Sequence, residues 1–173
     1  MAPAAEFPPA TSSGRSLIEV RASGADDRPW IARAAREVLG SERQAYLERG
    51  VFTVTDFPAL IAEFDMAPVA FLCWEIEGDV AETIAIACTE RRMGAGRALM
   101  TAFHNLAASA GCDRLKVVTT DTNEGARVFY ERLGYEIVEV RKGAVDECRR
   151  TLKPEIPPDM HDEIEYGRPL EVP

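Results

Sequence analysis

The chain has 173 residues, 28% charged and 46% hydrophobic, and its 29 acidic and 20 basic side chains give a formal net charge of −9. Its longest apolar run, Pro68 to Trp74, lies between Asp65 and Glu75, far short of the ~20 residues of a membrane span. With no block of lysines or arginines a nucleic-acid partner is disfavoured, and the irregularly spaced Cys73, Cys88, Cys112 and Cys148 with His104 and His161 offer no metal-ligand spacing, so no metal is expected.

Residues 1–16 hold three prolines and no apolar core segment. They read as a disordered tail without a secretory signal, ahead of a single domain over 17–173 in a cytoplasmic protein. Leu17 to Arg21 alternates as a first strand. Asp26 and Asp27 cap a helix running to Leu39 and ended by Gly40, with Trp30, Ile31, Ala34, Val38 and Leu39 on its apolar face. Arg43 to Phe57 reads as a short helix followed by loop. Three strands, Ala59 to Phe64, Val69 to Glu77 and Val80 to Cys88, follow as an antiparallel meander turning at Asp65 to Pro68 and at Gly78-Asp79.

A glycine-containing loop then leads into a helix over Arg97 to Ala110, with Leu99, Phe103, Leu106 and Ala110 at helical spacing. Leu115 to Thr119 is a strand, Asn123 caps a helix bearing Ala126, Phe129, Tyr130 and Leu133 on one face, and Tyr135 to Val140 is the next strand. Lys142 to Pro158 is irregular or weakly helical, and His161 to Tyr166 reads as a closing strand.

The loop Arg91-Arg92-Met93-Gly94-Ala95-Gly96-Arg97 sits between a strand and a long helix. Glycines let the backbone turn tightly, the helix start presents unpaired N–H groups, and three arginines add positive charge, so a phosphate group is the natural guest. The dinucleotide fingerprint fails, because Leu99 stands where its third small residue belongs, and the Lys-Ser/Thr pair of a triphosphate loop is missing.

About thirty residues further on, Asn123 to Tyr135 (NEGARVFYERLGY) resembles a motif of the GNAT superfamily of acyl-CoA-dependent N-acyltransferases, and Arg91-x-x-Gly94-x-Gly96 is similar to that superfamily's pyrophosphate-binding segment. The resemblance covers residues 17 to 141. It implies an α/β (α+β) GNAT fold, with a central mixed, mostly antiparallel sheet splayed between the fourth and fifth strands, flanked by about four helices. Acetyl-CoA would be wedged in that gap as co-substrate. The segment Lys142 to Tyr166, with Lys153-Pro154-Glu155-Ile156-Pro157 and Asp162-Glu163-Ile164-Glu165, is similar to a tail found in a bacterial subgroup of the superfamily.

The implied roles fall on named residues. The pantetheine arm would run past Ile86, Ala87 and Cys88, and the pyrophosphate would meet Arg91, Arg92, Gly94, Ala95, Gly96 and Arg97, with Asn123 touching the cofactor as it caps its helix. An amine with a pKa near ~10 arrives protonated at neutral pH, so a general base helps. Alternation puts Glu82 on the face of Ile84 and Ile86, where desolvation would raise its pKa, and the resemblance expects a glutamate on this strand. Glu75, Glu77 and Asp146 are substitutes. The loop after Cys88 is shorter than in many relatives, which would slip the alignment by two residues and leave Val80 at the base position. Tyr130 takes the position of a tyrosine that donates toward the CoA sulfur, and Cys88 reads as an apolar wall residue.

The expected reaction is acetyl transfer to a primary amine of a small molecule in a ternary complex. A protein or peptide acceptor and a non-catalytic acyl-CoA-binding module are the alternatives, and a homodimer is left open. Pro154 to Pro173 carries six acids and one base, −5 of the −9 total. In this superfamily that tail would neighbour the acceptor, favouring a cationic amine.

Overall fold

Seven strands make one sheet in the computed structural model, which describes residues 17–91 and 93–171. They are β1 (Ile18–Ala22), β4 (Ala59–Phe64), β5 (Ala67–Glu77), β6 (Val80–Cys88), β7 (Arg114–Thr120), β8 (Glu136–Arg141) and β9 (Glu163–Pro169), in the order β1-β4-β5-β6-β7-β9-β8. Every neighbouring pair is antiparallel except β6 and β7. The expected fold class is therefore present, and the C-terminal strand lies inside the sheet between β7 and β8. The expectation of a disordered tail over 1–16, and the expected role of Arg92, concern residues outside those described.

The meander follows the residue pattern because both turns need left-handed backbone that their residues tolerate: Asp65 and Met66 at φ 51° and 63°, and Gly78 at 61°. Helix α2 (Ala95–Ser109) packs on one face. It buries Leu99, Met100, Phe103 and Ala107, so the apolar stripe runs through Ala107, and the expected Leu106 and Ala110 stay outside it. Full burial of Phe103 contributes about 2 to 3 kcal/mol. Helix α3 (Glu124–Arg132) joins α2 on this side through Tyr130, Ala126 and Phe129. Helix α1 (Arg28–Leu39) covers the other face with Ile31, Ala34 and Ala35. Asp27 does not cap α1 with its side chain; its carboxylate instead accepts from the Gly24 N–H at 2.7 Å and binds Arg21. No helix among the described residues is long and apolar enough to cross a membrane.

One expectation about secondary structure is corrected and another is sharpened. Arg43 to Phe57 is not helix and loop: β2 (Arg43–Tyr46) and β3 (Gly50–Thr53) form a hairpin that continues into a short 3-10 turn. Its Glu, Arg, Gln, Ala and Leu residues favour helix locally. Tyr46 stacks on Phe52 at 5.9 Å and Gly50 adopts φ 79°, and these contacts override the propensity. Lys142 to Pro158, expected to be irregular or weakly helical, contains helix α4 (Ala144–Thr151), which buries Ala144, Val145 and Cys148 and neighbours β2.

Candidate active site

The parallel pair β6/β7 is short. It runs from Val80↔Arg114 to Thr83↔Val117 and then stops, while β6 stays paired with β5 as far as Cys88. Beyond Thr83 the edge of β6 that faces β7 has no strand partner, so its backbone groups open onto a wedge between the two strands. A register shift in the β5/β6 ladder leaves Ile84 as the extra residue between Thr83 and Ala85. Such a bulge reverses the alternation beyond it. Ala81 packs with the α2 cluster before the bulge, and Ile86 and Cys88 join that same cluster after it, whereas Ile84 and Ala87 turn toward α1. The expectation that Glu82 shares a face with Ile86 is thereby corrected; it shares one with Ile84.

The wedge holds a cavity of 90 Å³ lined by Ile84, Ala85, Ile86, Val118, Asn123 and Tyr130, among others. At its upper end Gly94 takes φ 81° and its carbonyl accepts the first α2 bond, from the Ala98 N–H. Only glycine reaches that backbone without strain. Gly96 packs against Cys88 and Phe129, and a methyl group in its place would stand 3.4 Å from the Phe129 ring and 3.5 Å from the Cys88 sulfur. Arg91 and Arg97 are exposed beside this helix start, Ala95 is buried, and Asn123 caps α3 by accepting from the Ala126 N–H at 3.2 Å. Glycine turn, free strand edge, helix N-terminus and two arginines fit a long, anionic, amide-bearing ligand such as acetyl-CoA. Burial pushes the Cys88 thiol above its ordinary value, which disfavours the thiolate that an attacking cysteine needs.

Tyr130 is buried against Phe129, Tyr135 and Tyr166, with ring separations of 5.5, 5.8 and 6.1 Å. Burial raises its pKa, so at neutral pH the phenol keeps its proton and can only donate or accept a hydrogen bond.

On the α1 side lies a second cavity of 410 Å³, walled by five carboxylates and three cations. Tyr46 and Val118 line both this cleft and the wedge, so the two meet there. The hairpin roofs the junction with four consecutive residues. Tyr46 donates its hydroxyl to the Val118 carbonyl at 3.0 Å, the Leu47 N–H donates to Glu163 at 2.7 Å, Glu48 pairs with Arg141 at 3.4 Å, and Arg49 binds Glu75 at 2.7 Å and Glu82 at 2.9 Å. Glu82 also has Lys116 at 3.7 Å. It is thus held between two cations, where an apolar row was expected. Phe52 and Phe57 back the Arg49 guanidinium at 5.9 and 5.5 Å.

The structure brings Glu82, Glu75 and Glu77 into one cleft with Val80 in the adjoining groove, and places Ile86, Asn123 and Tyr130 in the wedge. Asp146, on α4, is not among the lining residues; it binds Arg149 of the same helix and His161. Tyr46, Arg49, Lys116, Arg141 and Glu163 were not expected at the site. Only the acid excess of the tail pointed toward Glu163.

Residues 25–135 match the family model described as the acetyltransferase (GNAT) family. The uncharacterized protein YdhI of Bacillus subtilis (strain 168) is 31% identical over 112 residues, 64% of this chain and 69% of that protein. Among solved structures, the ribosomal-protein-S18-alanine N-acetyltransferase from Escherichia coli superposes with a TM-score of 0.67 at 17% identity, covering 91% of this chain and 96% of that one. A phosphinothricin acetyltransferase from Sinorhizobium meliloti in complex with AcCoA gives 0.66 at 18%, covering 88% of each chain. At such identities the superpositions establish a common fold.

Proposed function

The chain belongs to the acetyltransferase (GNAT) family, and on that premise we propose that it transfers an acetyl group from acetyl-CoA to the primary amine of a small molecule within a ternary complex. The observation that carries this reading is the meeting of two unlike cavities at Tyr46 and Val118, one a backbone-edged wedge and the other a charged cleft. Acetyl-CoA supplies the activated acyl group. The free edge of β6 at Ile86 to Cys88 holds the pantetheine arm and polarises the thioester oxygen through a backbone N–H. Arg91, Arg92 and Arg97 with the Gly94-Ala95-Gly96 turn hold the pyrophosphate, and Asn123 adds a contact at the start of α3.

In the cleft Glu82 accepts the amine proton, directly or through a water, while Arg49 and Lys116 fix its carboxylate. Tyr130 donates its hydroxyl hydrogen bond to the departing sulfur. The hairpin roof supports a small acceptor, because Tyr46 and Arg49 reach across to Val118, Glu75 and Glu82 and bound a cleft of 410 Å³.

Thiol release from acetyl-CoA in the presence of small amines and of an alanine-terminated peptide tests the proposal. Amine-dependent release is expected, fastest with a small amine, and Tyr130→Phe should lower kcat about 30-fold with little change in acceptor KM. Binding of acetyl-CoA with no release for any amine would identify a binding module instead, and a peptide outperforming every small amine would reassign the acceptor.

A further inference from the structure

The charges around the cleft do not cancel. Arg49 is shared by Glu75 and Glu82, Lys116 by Glu82 and Glu165, and Arg141 by Glu48, Glu139, Glu163 and Glu165. Lys116 and the shared Glu82 and Glu165 link these pairs into one network in which six carboxylates meet three cations. Glu77 adds a further carboxylate on the cleft wall.

Glu163 stands apart within this network. It is 1% exposed, yet it lines the cleft, and its two oxygens differ. Oε1 accepts from the Leu47 N–H at 2.7 Å, whereas Oε2 has no hydrogen-bond donor and faces the Arg141 guanidinium only across 3.7 Å. The Arg141 Nε is likewise buried without a hydrogen-bond partner. A buried carboxylate oxygen without a donor costs free energy unless a ligand supplies one. A ligand carboxylate would serve Arg141 but would join four glutamates already around it. A ligand ammonium serves Glu163 and relieves the negative excess.

We propose that the cleft takes an acceptor with at least two ammonium groups, a diamine or polyamine, and that Glu163 with its neighbour Glu48 holds the cationic end that is not acetylated. This inference rests on the acetyltransferase reading only in treating the bound compound as the acceptor. Burial raises the Glu163 pKa against the pull of Arg141 and the Leu47 N–H, with the Cys148 thiol and Glu48 also facing it, so protonation on acidification weakens the hold on the cation.

The test measures calorimetric binding and thiol release on the full chain, with 1,4-diaminobutane, spermidine and 1-aminobutane as probes. The diamine should bind about 30-fold more tightly than the monoamine at low salt, spermidine more tightly still, and the advantage should shrink about threefold or more at high ionic strength. Glu163→Gln retains an oxygen for Leu47 while removing the charge, and should narrow the diamine preference about tenfold; Glu77→Gln, at the exposed rim, should narrow it about threefold. Diamine and monoamine within twofold of each other in binding and turnover would overturn the proposal while leaving acetyl transfer intact. Tight diamine binding with no thiol release from any amine would overturn the acetyltransferase reading and leave the dication site standing. An unchanged preference in Glu163→Gln would remove Glu163 from that site.

Discussion

The wedge and the cleft share Tyr46 and Val118 as a wall, yet they are built on opposite principles. The wedge is backbone: a strand edge left open past Thr83, a glycine at φ 81° and two helix starts, contributed mainly by the continuous run from β6 into α2 and by α3. The cleft is side chain, an ion network drawn from the hairpin and from β5 through β9. Fixed dipoles suit a cofactor whose phosphates and amides are always the same, whereas charged side chains can be changed one by one to suit an acceptor.

Substitutions can break this division. The largest effect is expected for Glu82→Gln, which removes the proposed base from the cleft side: kcat should fall about 100-fold or more, with acetyl-CoA affinity unmoved by calorimetry. Should affinity fall alongside kcat, the two regions are not separable. Next is Gly94→Glu on the wedge side. Left-handed strain of about 2 kcal/mol together with a negative charge at the anion loop predicts acetyl-CoA binding about 100-fold weaker. Retained affinity would move the pyrophosphate elsewhere. Arg49→Met releases Glu75 and Glu82 and unpins the roof, and should reduce acceptor kcat/KM about tenfold while leaving the cofactor constant alone.

The smallest effect sharpens the comparison from outside both regions. His104, on α2, lines neither cavity; burial, aided by Arg168, lowers its pKa from 6.5 to about 4. The folded protein therefore keeps the ring neutral while the unfolded chain protonates it below pH 6.5, so stability falls on acidification from 6.5 toward 4, by about 1 to 3 kcal/mol. Thermal unfolding of His104→Gln should show a flatter profile over that window, separating loss of fold from titration of the active site. An unchanged slope would place the acid sensitivity elsewhere.

The wedge was legible in the sequence because its parts are local. The Gly94-x-Gly96 turn, the Asn123 cap and the Tyr130 face each lie within one element, and the meander ends where its turn residues say it should. The cleft was legible only at Glu75, Glu77 and Glu82. Tyr46 and Arg49 were lost because residues 43–49 have helix-forming composition, and nothing nearby in sequence marks them as a hairpin. The face of Ile86 was lost to a single bulged residue, which the alternation rule cannot anticipate.

The sequence by itself determined the family, the strands and helices outside residues 43–57, and a glycine loop opening α2, because caps, turns and periodicity act over a few residues. Tertiary structure alone decided where part of the acid excess lies. The tail could have been a solvated end; β9 instead enters the sheet between β7 and β8, and carries Glu163 to the Leu47 N–H, 116 residues away in the chain. Coulomb forces and burial depend on distance in space, and no local pattern encodes which distant charges a folded sheet will set side by side.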